Sequence, residues 1–95
     1  MANIITMDEA SNFLGVEITP ITQTSLQILL NAIDSSLFNS TGVHWNNPPT
    51  GQNIEPLAKS TALLMLWQMY YATDKYQITI TYNIKQLQLM QYSEE

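Results

Sequence analysis

Ninety-five residues, a net charge of −5 and no cysteine bound the chain to one domain with a modest core, without disulfides or thiolate metal sites. Its only basic residues are Lys59, Lys75 and Lys85. Three scattered lysines cannot form the patch that grips a phosphate backbone, so direct DNA recognition is not expected. Hydrophobic residues make up 45% and charged residues only 12%, which suggests that much of the surface faces protein rather than water.

The first ten residues, MANIITMDEA, lack the basic start and apolar core of a signal peptide. The uncharged run of residues 60–73 falls short of the roughly 20 residues that a membrane-spanning helix needs. A soluble protein is expected, with no membrane partner.

In chain order, Thr6-Met7-Asp8-Glu9 fits a capping box, with Thr6 as N-cap and Glu9 three residues on. Ala10, Phe13 and Leu14 follow at helical spacing and Gly15 supplies a stop, which predicts a short helix over 7–14. Thr19-Pro20 opens a second helix over 20–41. Leu26, Leu29, Leu30, Ile33 and Leu37 form its main stripe, and Ile21, Ile28 and Ala32 a thinner second one. Gly42 ends it.

Residues 43–55 read as an irregular loop because Pro48, Pro49 and Gly51 forbid regular structure. Loops of this length in compact domains are often functional. At its start Trp45 has two readings, a lid on the core or an intermolecular anchor of the kind enriched at binding hot spots. His44 has no nearby carboxylate or cysteine and is not read as a metal ligand.

A third helix over about 56–73, PLAKSTALLMLWQMYYAT, is the element around which the chain is expected to organise. Leu63, Leu64, Leu66, Trp67, Tyr70 and Tyr71 make a bulky face suited to anchoring a core. Ala58, Thr61, Ala62, Met65, Gln68, Met69 and Ala72 make a smaller, methionine-rich face that another helix could approach. A helix apolar on nearly all sides needs cover on nearly all sides, and so small a chain has few other helices to supply it.

Residues 76–82, YQITITY, then change period. Tyr76, Ile78, Ile80 and Tyr82 alternate with Gln77, Thr79 and Thr81, which predicts a short strand. Its pairing is open between Ile4-Ile5-Thr6, another subunit, or none, as an extended arm packed on the helices. Ile84, Leu87 and Met90 suggest a last helix over 83–92. The expected fold is mainly α, a bundle of three to four helices around helix 56–73, with a strand or arm over 76–82.

No catalytic constellation emerges, so no enzyme and no cofactor are expected. His44 is the lone histidine and sits in a Pro/Asn loop, while the glycines are isolated. Asp8 and Glu9 are explained by capping. Met65 and Met69, one turn apart, fit a core or an interface better than a cofactor box.

Taken in order, these pieces resemble the head–tail connector (head-completion adaptor) family of tailed bacteriophages. Thr6-Met7-Asp8-Glu9-Ala10 with Phe13-Leu14 and Val16 is similar to that family's first helix. The long second helix ending in Ser40-Thr41-Gly42-Val43, and Pro56 followed by Ala62-Leu63-Leu64, Leu66-Trp67 and Tyr70, are similar to its second and third. The likeness covers about residues 6–73, and order and spacing carry it rather than any single motif. The family often bears basic residues near the end of the third helix, where this chain has Ala72-Thr73-Asp74.

The resemblance implies a virion protein at the head–tail junction, assembled in the host cytoplasm. It implies a homo-oligomeric ring of about a dozen copies under the portal protein, extending the DNA channel without specific DNA binding. Such a ring presents a surface to the next head-completion or tail protein. The intersubunit contacts expected are Tyr76, Ile78, Ile80 and Tyr82, with Trp45 and the Met65/Met69 pair as further candidates. The alternative is a small all-α protein-binding adaptor or regulatory domain, dimeric, using the same apolar surface.

Overall fold

The computed structural model describes residues 3–49 and 51–90 and contains four helices: α1 Met7–Leu14, α2 Pro20–Thr41, α3 Pro56–Tyr71 and α4 Gln77–Leu89. The boundaries of the first three follow from local chemistry. At α1 the Thr6 hydroxyl accepts from Glu9 N–H (3.1 Å) while the Glu9 carboxylate accepts from Thr6 N–H (2.9 Å). These reciprocal bonds satisfy two donors that the first turn leaves open. At α2 the same exchange runs between Thr19 and Thr22, with Pro20 at the first helical position. Glu55 caps α3, its carboxylate accepting from Leu57 N–H.

Two helices stop on glycine in the left-handed region, Gly15 at φ 71° and Gly42 at φ 77°. The third stops on Ala72 at φ 51°, a conformation that a Cβ disfavours.

α2 and α3 form the central pair and touch each other and both remaining helices; α1 and α4 do not touch. Ile4 and Ile5, ahead of α1, are buried to 1% exposure, and they tuck under a polar latch. In that latch the Asp34 carboxylate accepts from the Asn3 side-chain amide (2.7 Å) and from Ile4 N–H (3.2 Å). Leu26, Leu30, Ile33 and Leu37 of α2 meet Ala58, Ala62 and Leu66 of α3 and Leu87 of α4 in one core.

The deeply buried residues of α3 come from both expected faces, Ala58, Thr61 and Ala62 from the small one and Leu66 from the bulky one. Small side chains let neighbouring helix axes come close, while Leu63, Met65, Trp67 and Tyr70 pack around the margin. The buried Thr61 hydroxyl donates to Leu57 C=O, one turn back, so it carries no unmet bond.

The expected strand over 76–82 is not formed. Residues 77–82 are the first half of α4, and the last helix begins at Gln77 rather than at 83. Its start is fixed from α3: the Gln68 side chain accepts from Tyr76 N–H (2.6 Å) and donates to the Gln77 side chain (3.2 Å). Gln77 N–H donates to Asp74 C=O (3.0 Å), and from Ile80 N–H, which donates to Tyr76 C=O (2.8 Å), the helical ladder takes over. The unpaired strand edge that would have demanded a partner does not exist. The physical reason is that the alternation conceals a helical stripe. Tyr76, Ile80, Ile84 and Leu87 step by four, four and three, and this stripe packs inward. The expected end of that helix at Tyr92, and the acidic Glu94-Glu95, lie outside the described residues.

Candidate functional site

The second half of the alternation ends up on the opposite pole of α4. Ile78, Tyr82, Lys85 and Leu89 step by four, three and four, which keeps them on one line along the helix. Ile78 is 86% exposed, Leu89 83% and Tyr82 62%. Thr79, Thr81, Gln86 and Gln88 separate this line from the buried one. α4 is therefore apolar on two opposite sides, only one of which the monomer covers. Isolated exposed apolar side chains are ordinary, whereas these three are aligned on one helix pole.

A second line lies on α2. Ile21 (81% exposed) and Ile28 (64% exposed) sit two turns apart with exposed Ser25 between them and exposed Ala32 beyond. Asp34 is the single charged residue of this 22-residue helix, and the N-terminal latch occupies its carboxylate.

An aromatic cluster joins α1 to the end of α3. Phe13 meets Trp67 edge-on (centroids 5.6 Å apart), and Trp67 and Tyr70 both contact Tyr71. The Tyr71 hydroxyl donates to Leu14 C=O (2.9 Å). These contacts tie the short first helix down, so the partial exposure of Phe13 and Tyr71 belongs to a packed cluster rather than a free stripe. Lys59 on α3 donates to both oxygens of Glu9 on α1, at 2.8 and 3.1 Å. The Lys59 ammonium, followed by the Thr6 backbone N–H, holds the Glu9 carboxyl below its ordinary value of 4.5.

A shallow polar pocket of about 460 Å³ lies between α2 and the following loop, lined by Asn3, Asn31, Asp34, Ser35, Phe38, Asn39, His44 and Asn46. His44 stacks on Phe38 there, centroids 3.9 Å apart. Asn3, Asn31 and Asp34 spend their polar groups on one another, on Gln27 and on Ile4 N–H. Among the described residues no group of three or more metal-binding side chains converges.

The expected contact residues are dispersed. Ile78 and Tyr82 lie on the exposed pole of α4, whereas Ile80 is 3% exposed and belongs to the interior. Tyr76 is half-buried at the start of α4, Met65 packs on the core, and Met69 is 42% exposed. Trp45 is an interior residue at 2% exposure, and its indole N–H donates to the Thr41 hydroxyl (2.8 Å). It is a lid on the core and is not available as an intermolecular anchor. Sequence reasoning missed Leu89; Ile21 and Ile28 belong to the thinner second stripe it marked on α2, without being named as contact residues. The signal for Leu89 was the four-three-four step from Ile78, which the alternating pattern masked.

Among the described residues no helix is long and apolar enough to cross a membrane. Comparison with protein-family models, with curated proteins and with solved structures finds no match to this chain.

Proposed function

We propose that this chain is a structural assembly protein whose copies form a ring of the head–tail connector kind, seated between a phage portal and the next head-completion or tail protein. The observation that carries the reading is the exposed line Ile78, Tyr82 and Leu89 on α4. An apolar helix pole left open by a monomer is explained by burial against protein. The order of sequence pieces supplies the kind of assembly. The net charge of −5 suits a channel through which DNA slides without sticking, because like charge disfavours phosphate contact.

Native mass spectrometry and negative-stain imaging of the purified chain test the reading. Closed rings of about a dozen copies support it. A dimer that persists at every concentration contradicts it and favours the protein-binding adaptor.

A further inference from the structure

We propose that residues 76–82 have a second, masked conformation: when the start of α4 lifts from the core, they form a strand that pairs antiparallel with the same segment of another copy. This goes beyond the ring reading and does not rest on it.

The first half of α4 is helical because its neighbours hold it there, not because its sequence favours it. Ile78, Thr79, Ile80 and Thr81 are consecutive β-branched residues, which suit a strand better than a helix. Side chains of Thr6, Thr19 and Glu55 cap the first three helices, whereas α4 opens on Tyr76 with no side-chain cap among the described residues. Its start depends instead on the Gln68 side chain of α3, which bonds Tyr76 N–H and the Gln77 side chain. The connection leading into it passes through Ala72 at φ 51°, where a Cβ is strained. Local preference and tertiary structure conflict over this stretch, and such a conflict marks a segment with a competing state.

The partner follows from the segment itself. YQITITY contains no charge, glycine or proline and is rich in strand-forming residues, the composition of segments that pair with their own copies. It also reads nearly the same in both directions about Thr79. In an antiparallel pair centred there, Tyr76 lies opposite Tyr82 and Ile78 opposite Ile80 on one face, with Gln77 opposite Thr81 on the other. Aromatic and β-branched side chains thus meet their own kind across the strands, the pairings that stabilise sheets. The folded monomer blocks this pairing, because the segment is helical and Ile80 is 3% exposed.

The full-length protein, warmed to just below its unfolding midpoint, is followed by thioflavin T fluorescence and amide I infrared absorption. Thr79→Lys and Ser25→Lys add the same charge at exposed helical positions, but only Thr79→Lys sets lysine against lysine at the centre of the pair. Wild type and Ser25→Lys are expected to gain intermolecular β signal, and Thr79→Lys to gain it many-fold more slowly. The chain has no cysteine, so Thr79→Cys and Thr81→Cys report the register once the converted material is oxidised. Covalent dimers are expected several-fold in excess from Thr79→Cys, because position 81 faces position 77. A wild type without β signal up to and through its unfolding transition overturns the proposal, as does Thr79→Lys that converts as fast as wild type. Equal slowing by both lysine variants overturns the assignment to this segment. Equal dimer yields from the two cysteine variants overturn the antiparallel pairing.

Discussion

Ile78 and Ile80 lie two residues apart on α4 and face opposite ways, one 86% and the other 3% exposed. Two residues on a helix are separated by about 200° of rotation, whereas on a strand they share a face. The pair therefore distinguishes the observed helix from the strand that the alternation suggests. Ile80→Lys places a charge in the core without a partner and is expected to cost about 4 kcal/mol or more. Ile78→Lys is expected to change stability by no more than about 0.5 kcal/mol. Urea unfolding of the two variants checks this; equal losses would mean that both side chains share an environment.

Trp45 anchors the loop between α2 and α3 through the Thr41 hydroxyl, which itself donates to Leu37 C=O (2.7 Å). Trp45→Phe removes the indole donor and part of the buried volume, with an expected cost of about 2 kcal/mol. Thermal unfolding followed by circular dichroism measures it. An unchanged Tm would place Trp45 outside the core.

The Glu9–Lys59 contact makes stability depend on pH in a definite direction. Glu9 has a folded pKa lowered from 4.5, so its ionised form favours the folded state. That contribution is fully present above the unfolded value and is lost as pH falls through the lower folded one. Both side chains are about a third exposed or more, which screens the pair to about 0.5 kcal/mol. Glu9→Gln keeps an oxygen for the capping bond and removes the charge. Wild type is expected to be the more stable at pH 7, with the gap closing in acid and in high salt. A gap that widens in acid would reverse the assigned sign.

Ala72 closes α3 in the left-handed region, where glycine is the unstrained choice. Ala72→Gly is expected to stabilise the fold by up to about 1 kcal/mol, the relief of strain outweighing the added freedom of the unfolded chain. Loss of stability in urea unfolding would mean that the Ala72 methyl group makes packing contacts worth more than the strain.

Much of this fold was legible because its signals are local. Thr6 with Glu9, Thr19 with Pro20, Gly15 and Gly42 each act within one turn of chain, and α1 and α2 start and stop where those residues place them. What failed depends on contacts between elements. Residues 76–82 satisfy a period of two and a period of 3.6 together, and the bond from Tyr76 N–H to the Gln68 side chain belongs to the α3–α4 junction, not to the stretch itself. The division of burial along α3, with Ala58, Ala62 and Leu66 at 0% and Tyr71 at 45% exposure, likewise reflects how closely neighbouring helices pass. Ile78 and Tyr82, strand residues by the alternating pattern, lie on the exposed pole of α4, while Ile80 from the same pattern is in the core.

The claim that the outer pole of α4 drives assembly is tested most directly by sedimentation velocity across a concentration series, comparing wild type with the Ile78→Lys/Leu89→Lys double variant. The account predicts concentration-dependent large species for wild type, and a monomer of unchanged helical content for the variant. Assembly by the double variant equal to that of wild type, or a wild type that stays monomeric up to millimolar concentration, would contradict it.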